Sequence, residues 1–140
     1  MSDELTLHVE NRLSELKRVN QAVHDFLDGQ PLAPKSQYTI HIAIEEMITN
    51  TIKYGYDDDA AHEIELSLRI AGSHVLIRIE DDGHEFNPLL AEIPDITAPI
   101  EKRRIGGMGI YMVRKMADDI RYQRMDGKNI LDVSVRLGER

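Results

Sequence analysis

Hydrophobic and polar positions along the chain alternate with two different periods, and the switches between them mark out the elements. Leu5, Leu7 and Val9 alternate with Thr6 and His8, which predicts a short strand with one buried face. Leu13, Leu16, Val19, Val23, Phe26 and Leu27 then recur at helical spacing, with Asn11 as the expected N-cap and Gly29 and Pro31 as the stop. A second helix is expected after Pro34, near Ser36, running to Gly55 on an apolar stripe of Ile40, Ala43, Ile44, Met47, Ile48 and Thr51. The period returns to two at Ile64, Leu66, Leu68 and Ile70, and again at Val75, Ile77 and Ile79. Ala71-Gly72-Ser73-His74 between them reads as a hairpin loop. From Gly83 to Arg104 no period holds, and Pro88, Pro94 and Pro99 interrupt the stretch. About 20 residues without an element are unusual in so small a domain, and the stretch reads as a functional lid. Ile110 to Ala117 is expected to be helical and Ile120 to Met125 a strand, with Asp126-Gly127 turning into a last strand from Ile130 to Leu137. This order implies an α+β fold: a two-layer α/β sandwich with one mostly antiparallel sheet and helices on one face.

Length and composition narrow the classes. A chain of 140 residues is expected to form one domain spanning 1–140, with enough surface buried for its own core. Aromatic residues make up 5% and Trp is missing, so that core rests on Ile, Leu, Val and Met. Lys and Arg total 17 against 25 Asp and Glu, a net charge of −8, which argues against direct nucleic-acid binding. No cysteine is present, so disulfides, thiolate metal sites and cysteine nucleophiles are excluded. Neither an N-terminal export pattern nor an apolar run of about 18 residues appears, and a cytoplasmic protein without a membrane partner is expected. The six histidines are scattered without a metal-binding doublet, and no serine-triad spacing occurs.

Three clusters are candidates for chemistry. On the second helix, Glu46 and Asn50 fall one turn apart on the same side, with Lys53 and Tyr54 nearby, while Glu45 points about 100° away. A carboxylate beside a neutral amide oxygen suits magnesium–nucleotide chemistry, the amide as ligand and the carboxylate as base. On spacing alone, an ordinary polar flank with a Glu–Lys pair fits equally well. Asp81-Asp82-Gly83 closes a strand, where a carboxylate can accept a hydrogen bond from an amino group such as adenine's. Taken by itself, this is more simply an acidic turn. Gly106-Gly107-Met108-Gly109 precedes a helix and follows the basic triplet Lys102-Arg103-Arg104, a setting that favours phosphate over a merely flexible helix start. It is neither a P-loop nor a dinucleotide fingerprint.

Taken in order, the three clusters resemble the nucleotide-binding boxes of the gyrase, histidine-kinase and MutL ATPase superfamily. Glu46-Met47-Ile48-Thr49-Asn50 looks like its N box, Asp81-Asp82-Gly83 like the first glycine box, and Gly106-Gly107-Met108-Gly109 like the second. The run Ile44 to Tyr56 is most similar to the anti-sigma-factor serine/threonine kinases. The resemblance implies a Bergerat-type sandwich binding Mg-ATP under a lid. It implies Glu46 as catalytic base and Asn50 as magnesium ligand. Asp81 would face the adenine amino group with Gly83 beside the base. Gly107, Met108 and Gly109 would border the phosphates, and Arg104 would approach the terminal one. Arg18 would contact protein partners. Three positions depart from the family pattern: Glu85 replaces a glycine, Tyr54 a histidine, and Lys128-Asn129 a threonine turn.

The expected function is therefore a serine kinase that phosphorylates a STAS-domain anti-anti-sigma protein, sequesters a sigma factor and works as a homodimer. An ATP-gated binding module without phosphotransfer is the alternative, and an orphan catalytic domain of a histidine kinase is a weaker third. Glu46 favours the enzyme, because a binding module needs no base there.

Overall fold

The computed structural model describes residues 3–90 and 107–138. Five strands are β1 (Glu4–Glu10), β2 (Glu63–Ala71), β3 (His74–Asp81), β4 (Asp119–Met125) and β5 (Lys128–Arg136). Three helices are α1 (Leu16–Leu27), α2 (Pro34–Tyr54) and α3 (Gly107–Met116). The strands form a single antiparallel sheet in the order β1-β2-β3-β5-β4. Val9, Ile64, Leu66, Leu68, Val75, Ile77, Ile79, Leu131, Val133 and Val135 are buried against the helices. Alternate positions such as Thr6, Ser67, Arg78 and Asp132 form the opposite, more polar face. The α+β sandwich expected from the periodicity is the one observed.

The α2 stripe is buried from Ile40 through Ile48, and Pro34 occupies the first turn, where its missing N–H costs no helical bond. Inward alternation along β3 continues past Ile79 to Asp81, so the strand carries a carboxylate, 7% exposed, to the end of the core. The β3–β5 register sets Asp81 opposite Asn129, which is also 7% exposed. Asn129 is fixed there by the tight β4–β5 turn. Asp126 (φ 53°) and Gly127 (φ 75°) are both left-handed, as a two-residue hairpin of the favoured twist requires.

Several boundaries differ from expectation. Asn11 is not an N-cap: α1 starts later, after a 3₁₀ turn at Leu13–Glu15, and Leu13 is left 48% exposed. The Asn11 side chain instead accepts the His62 N–H at 3.0 Å and donates to the Ala60 carbonyl at 3.3 Å, bridging β1 to the approach of β2. The β2–β3 loop is only Gly72-Ser73, because Ala71 and His74 still pair. α3 starts three residues before Ile110 and draws the glycines into its first turn. The proposed lid is not wholly irregular, since Pro88–Leu90 form a 3₁₀ turn held by the Leu89 N–H donating to the Asn87 side chain at 2.9 Å. The rest of the lid, residue 91 onward and including Arg104, lies outside the described residues. Among the described residues no helix is long and apolar enough to cross a membrane.

Candidate nucleotide site

Glu46 and Asn50 lie on the flank of the α2 stripe, half-buried, whereas Glu45 is exposed, as the helical wheel requires. Asn50 Nδ2 donates to Glu46 Oε1 at 3.4 Å, a long contact. No hydrogen bond among the described residues occupies the Asn50 amide oxygen. The Glu46 carboxyl is raised above its ordinary pKa, chiefly by burial; Asn50 opposes this, Glu45 adds to it, and Lys53 opposes it. The first turn of α3 packs directly on this carboxyl: a Cβ at Gly109 would overlap Glu46 Cγ, Cδ and Oε2. A side chain at 109 would therefore displace the Glu46 carboxyl from where α3 meets α2. The result is an under-solvated carboxylate, an amide oxygen and a helix N-terminus converging on one edge, a combination suited to a proton acceptor beside a polyanion.

The second half of the site is built on the sheet. Asp81 Oδ1 accepts the Gly83 N–H and the Asn129 amide, each at 2.9 Å. Among the described residues Asp81 Oδ2 has only the Thr51 hydroxyl at 3.5 Å, whose single proton is better placed for the Met47 carbonyl at 3.0 Å. One oxygen of a buried carboxylate thus retains acceptor capacity toward the α2 side, which fits an amino group such as adenine's. Gly83 sits so close to the end of α2 that a Cβ would come within 2.5 Å of the Gly55 carbonyl. The His84 N–H donates to that same carbonyl at 2.8 Å.

Three residues outside the expected set support this turn. Asn129 bonds Asp81, the Tyr122 hydroxyl donates to Asn129 at 2.6 Å, and Arg124 Nη1 donates to the Gly83 carbonyl at 2.9 Å. In the sequence, Asn129 stands out only as part of a departure from a threonine turn. Counting back by twos from Val135, Val133 and Leu131 places it inward, and that signal was present in the sequence. Beside the turn, Tyr56 stacks on His62 with centroids 4.2 Å apart. Desolvation, then Asp81 and Asp82, push the Tyr56 phenol above its ordinary pKa.

The structure brings Glu46, Asn50 and Gly109 together, with Gly107 and Met108 on the backbone of the same α3 turn. It gathers Asp81 and Gly83 beside Thr51 and Gly55, at the C-terminal end of α2. Arg18 does not join them: it bonds Glu15 and the His8 carbonyl at the α1–β1 edge. Among the described residues no group of three or more His, Cys, Asp or Glu side chains is arranged to hold a metal ion.

Sheet, glycine turns and paired polar clusters define a nucleotide-binding α/β sandwich. A family model for the histidine kinase-like ATPase domain matches residues 9–135, and the chain belongs to that family. It is similar to the serine-protein kinase RsbW of Oceanobacillus iheyensis, 31% identical over 98 residues, covering 66% of this chain and 61% of that one. It is also 26% identical over 98 residues to the serine/threonine-protein kinase BtrW of Bordetella bronchiseptica, covering 70% of this chain and 69% of that one. The match thus spans less than two thirds of the Oceanobacillus relative's own length. A crystal structure of RsbU and RsbW domains from Mycobacterium tuberculosis superposes with a TM-score of 0.69 at 16% identity, covering 97% of this chain and 33% of that one. The Acinetobacter baumannii histidine kinase AdeS does so at 0.51 and 17%, covering 95% and 68%. At these identities the two structures establish the fold alone.

Proposed function

We propose that this chain is a Mg-ATP-dependent serine kinase and anti-sigma factor, acting as one ATP-binding domain on a STAS-domain anti-anti-sigma partner. The observation that carries the reading is Glu46: a half-buried carboxyl with a raised pKa, beside Asn50 and under the first turn of α3. A site that only binds nucleotide has no need of a base there. The relatives named serine kinases point the same way.

In this reading Asp81 Oδ2 takes the adenine amino hydrogen, and Gly83 lets the chain pass close to α2 at the base. Asn50 would hold the magnesium ion through its amide oxygen, and the ion would neutralise phosphate charge when bound. The α3 N-terminus, from Gly107 to Gly109, faces the phosphates with its free N–H groups. Glu46 accepts the proton of the acceptor serine as its oxygen bonds to the terminal phosphorus and the bond to ADP breaks. Arg104 and Met108 are assigned to the phosphates by the family resemblance, as Arg18 is to the partner. The homodimer, the sigma-factor partner and a cytoplasmic location belong to the same proposal.

The test is incubation with labelled ATP and candidate STAS proteins. Transfer to serine is expected. ATP-dependent partner binding without transfer would instead assign the chain to a switch, and transfer to histidine would assign it to a sensor kinase.

A further inference from the structure

The side chain of Asn129 uses its whole hydrogen-bonding capacity inside the protein. Its Nδ2 donates to Asp81 Oδ1 at 2.9 Å and to the His84 carbonyl at 2.6 Å. Its Oδ1 accepts the Phe86 N–H at 3.2 Å and the Tyr122 hydroxyl at 2.6 Å. Two donors and two acceptor sites are all that an amide has, and all four are engaged. The orientation is also fixed, because exchanging O and N would set a carbonyl against the Asp81 carboxylate and an NH₂ against the Phe86 N–H. At 7% exposure, such a group is costly unless completely satisfied.

We infer that Asn129 is a positioning residue for base recognition: it pins one oxygen of Asp81 so that the other stays turned toward α2 as the acceptor for a purine amino group. This rests on the reading of Asp81 as the base-contacting residue. Without Asn129, Asp81 keeps only the Gly83 N–H on Oδ1 and the long Thr51 contact on Oδ2, and its carboxylate is free to turn. The same amide anchors His84 and Phe86, so the direction of the acceptor and the path of the chain beyond the glycine turn are set by one side chain. Tyr122, on β4, holds that amide from behind. Discrimination for the 6-amino group is thus a property of β5 as much as of Asp81.

The experiment compares affinities for ATP and for the purine nucleoside triphosphate lacking the 6-amino group, in wild type and Asn129→Ala. The phosphates are common to both ligands, so the ratio isolates the base. Wild type should prefer ATP roughly 10–100-fold, as expected for one hydrogen bond to a charged acceptor. In Asn129→Ala the ratio should fall to within about threefold of unity. A merely structural residue would weaken both ligands together and leave the ratio intact, which would overturn the positioning role. A wild-type ratio near one would overturn the Asp81 reading beneath it. If Asn129→Ala does not fold, the wild type carries the test by NMR. Its Asn129 side-chain NH₂ signals should shift with ATP but hold still with the analogue, and equal shifts would overturn the role.

Discussion

At the base end of the candidate site, Asp81 and Asn129 are almost fully buried; all four Asn129 bonds and both Asp81 Oδ1 bonds lie at 2.6–3.2 Å, and Asp81 Oδ2 alone has a long contact, to Thr51 at 3.5 Å. At the α2–α3 edge, Glu46 and Asn50 are half-buried and joined by one contact of 3.4 Å. In the proposed function, the contrast follows from what each end would have to do. Recognition of a purine needs acceptors held in place before the ligand arrives, and buried polar atoms stay there only when satisfied. Proton transfer needs the opposite: a carboxylate poorly enough solvated to hold its proton affinity above the usual carboxylate range. In the proposed reading, one end is preorganised by the saturated Asn129 amide and the other is activated by scarcity.

The largest effects should come from disturbing the under-satisfied end. Glu46→Gln keeps the size of the side chain but removes the base, so phosphotransfer should fall about 10²–10⁴-fold with ATP affinity little changed. Glu45→Gln, on the exposed side of the helix, should transfer at nearly the wild-type rate. The wild-type rate should also decline as pH falls through the raised Glu46 pKa, since only the ionised carboxylate accepts a proton. That acid limb should vanish in Glu46→Gln. An unchanged rate in single-turnover assays would remove Glu46 from the chemistry.

Gly109→Ala sharpens the same point through packing. Alanine is the better helix former by about 0.8–1 kcal/mol, so the α3 turn itself gains. Its methyl would occupy the space of the Glu46 carboxyl, which must swing away. A misplacement of about 1 Å can cost on the order of 10²-fold in rate. Transfer should therefore drop about 10²-fold while the melting temperature holds or rises. A melting scan alongside the assay separates this from simple unfolding.

The sequence was most legible where a single period governed. The α2 stripe, the β2 and β3 alternation and the Asp126-Gly127 turn all appear where they were read, because burial on one face forces the pattern. The wheel separated Glu46 from Glu45 for the same reason. It was least legible where tertiary bonds replace local ones. Asn11 has the chemistry of an N-cap, but its amide is taken by Ala60 and His62, 49 and 51 residues away. The start of α3 is hard to read because glycine is a poor helix former, and the close packing of Gly109 on Glu46 is a tertiary contact that local sequence does not show. Asn129 hides in a turn sequence until the β5 register is known.

Asp81→Asn probes the saturated end and should have a smaller effect. The Gly83 N–H and Asn129 amide both donate toward Oδ1, so they would select the amide oxygen there and leave an NH₂ at Oδ2. The acceptor facing the purine becomes a donor. Loss of one charge-assisted hydrogen bond costs about 1.5–3 kcal/mol, or roughly 10–150-fold in ATP affinity. GTP, whose 6-oxo group accepts, should lose less. Calorimetry with both nucleotides checks it, and equal losses would place the base elsewhere.

The smallest effect should lie at the rim of the base end, where His62 stacks on Tyr56 and its ring nitrogens meet Asp58 at 2.7 Å and Asp82 at 3.4 Å. The Asp58 hydrogen bond is the main cause of a raised His62 pKa, burial opposing, and His62 in turn is the main cause of a lowered Asp58 pKa. The sign follows from linkage. A histidine whose folded pKa is raised stabilises the fold fully below its unfolded value of about 6.5 and loses that contribution as pH rises through the folded pKa. Asp58, with its folded pKa lowered, contributes above its unfolded value of about 3.9 and loses that as pH falls. The pair therefore helps most between about pH 4 and 6.5. His62→Asn removes the stacking at every pH but the ionic contribution only in that window. The melting-temperature gap between wild type and His62→Asn should be wider at pH 5.5 than at pH 8.5. Because Asp58 is solvent-exposed and His62 only partly covered, raising the salt concentration should narrow the extra gap at pH 5.5. A gap that ignores both pH and salt would mean that this rim is held by stacking alone.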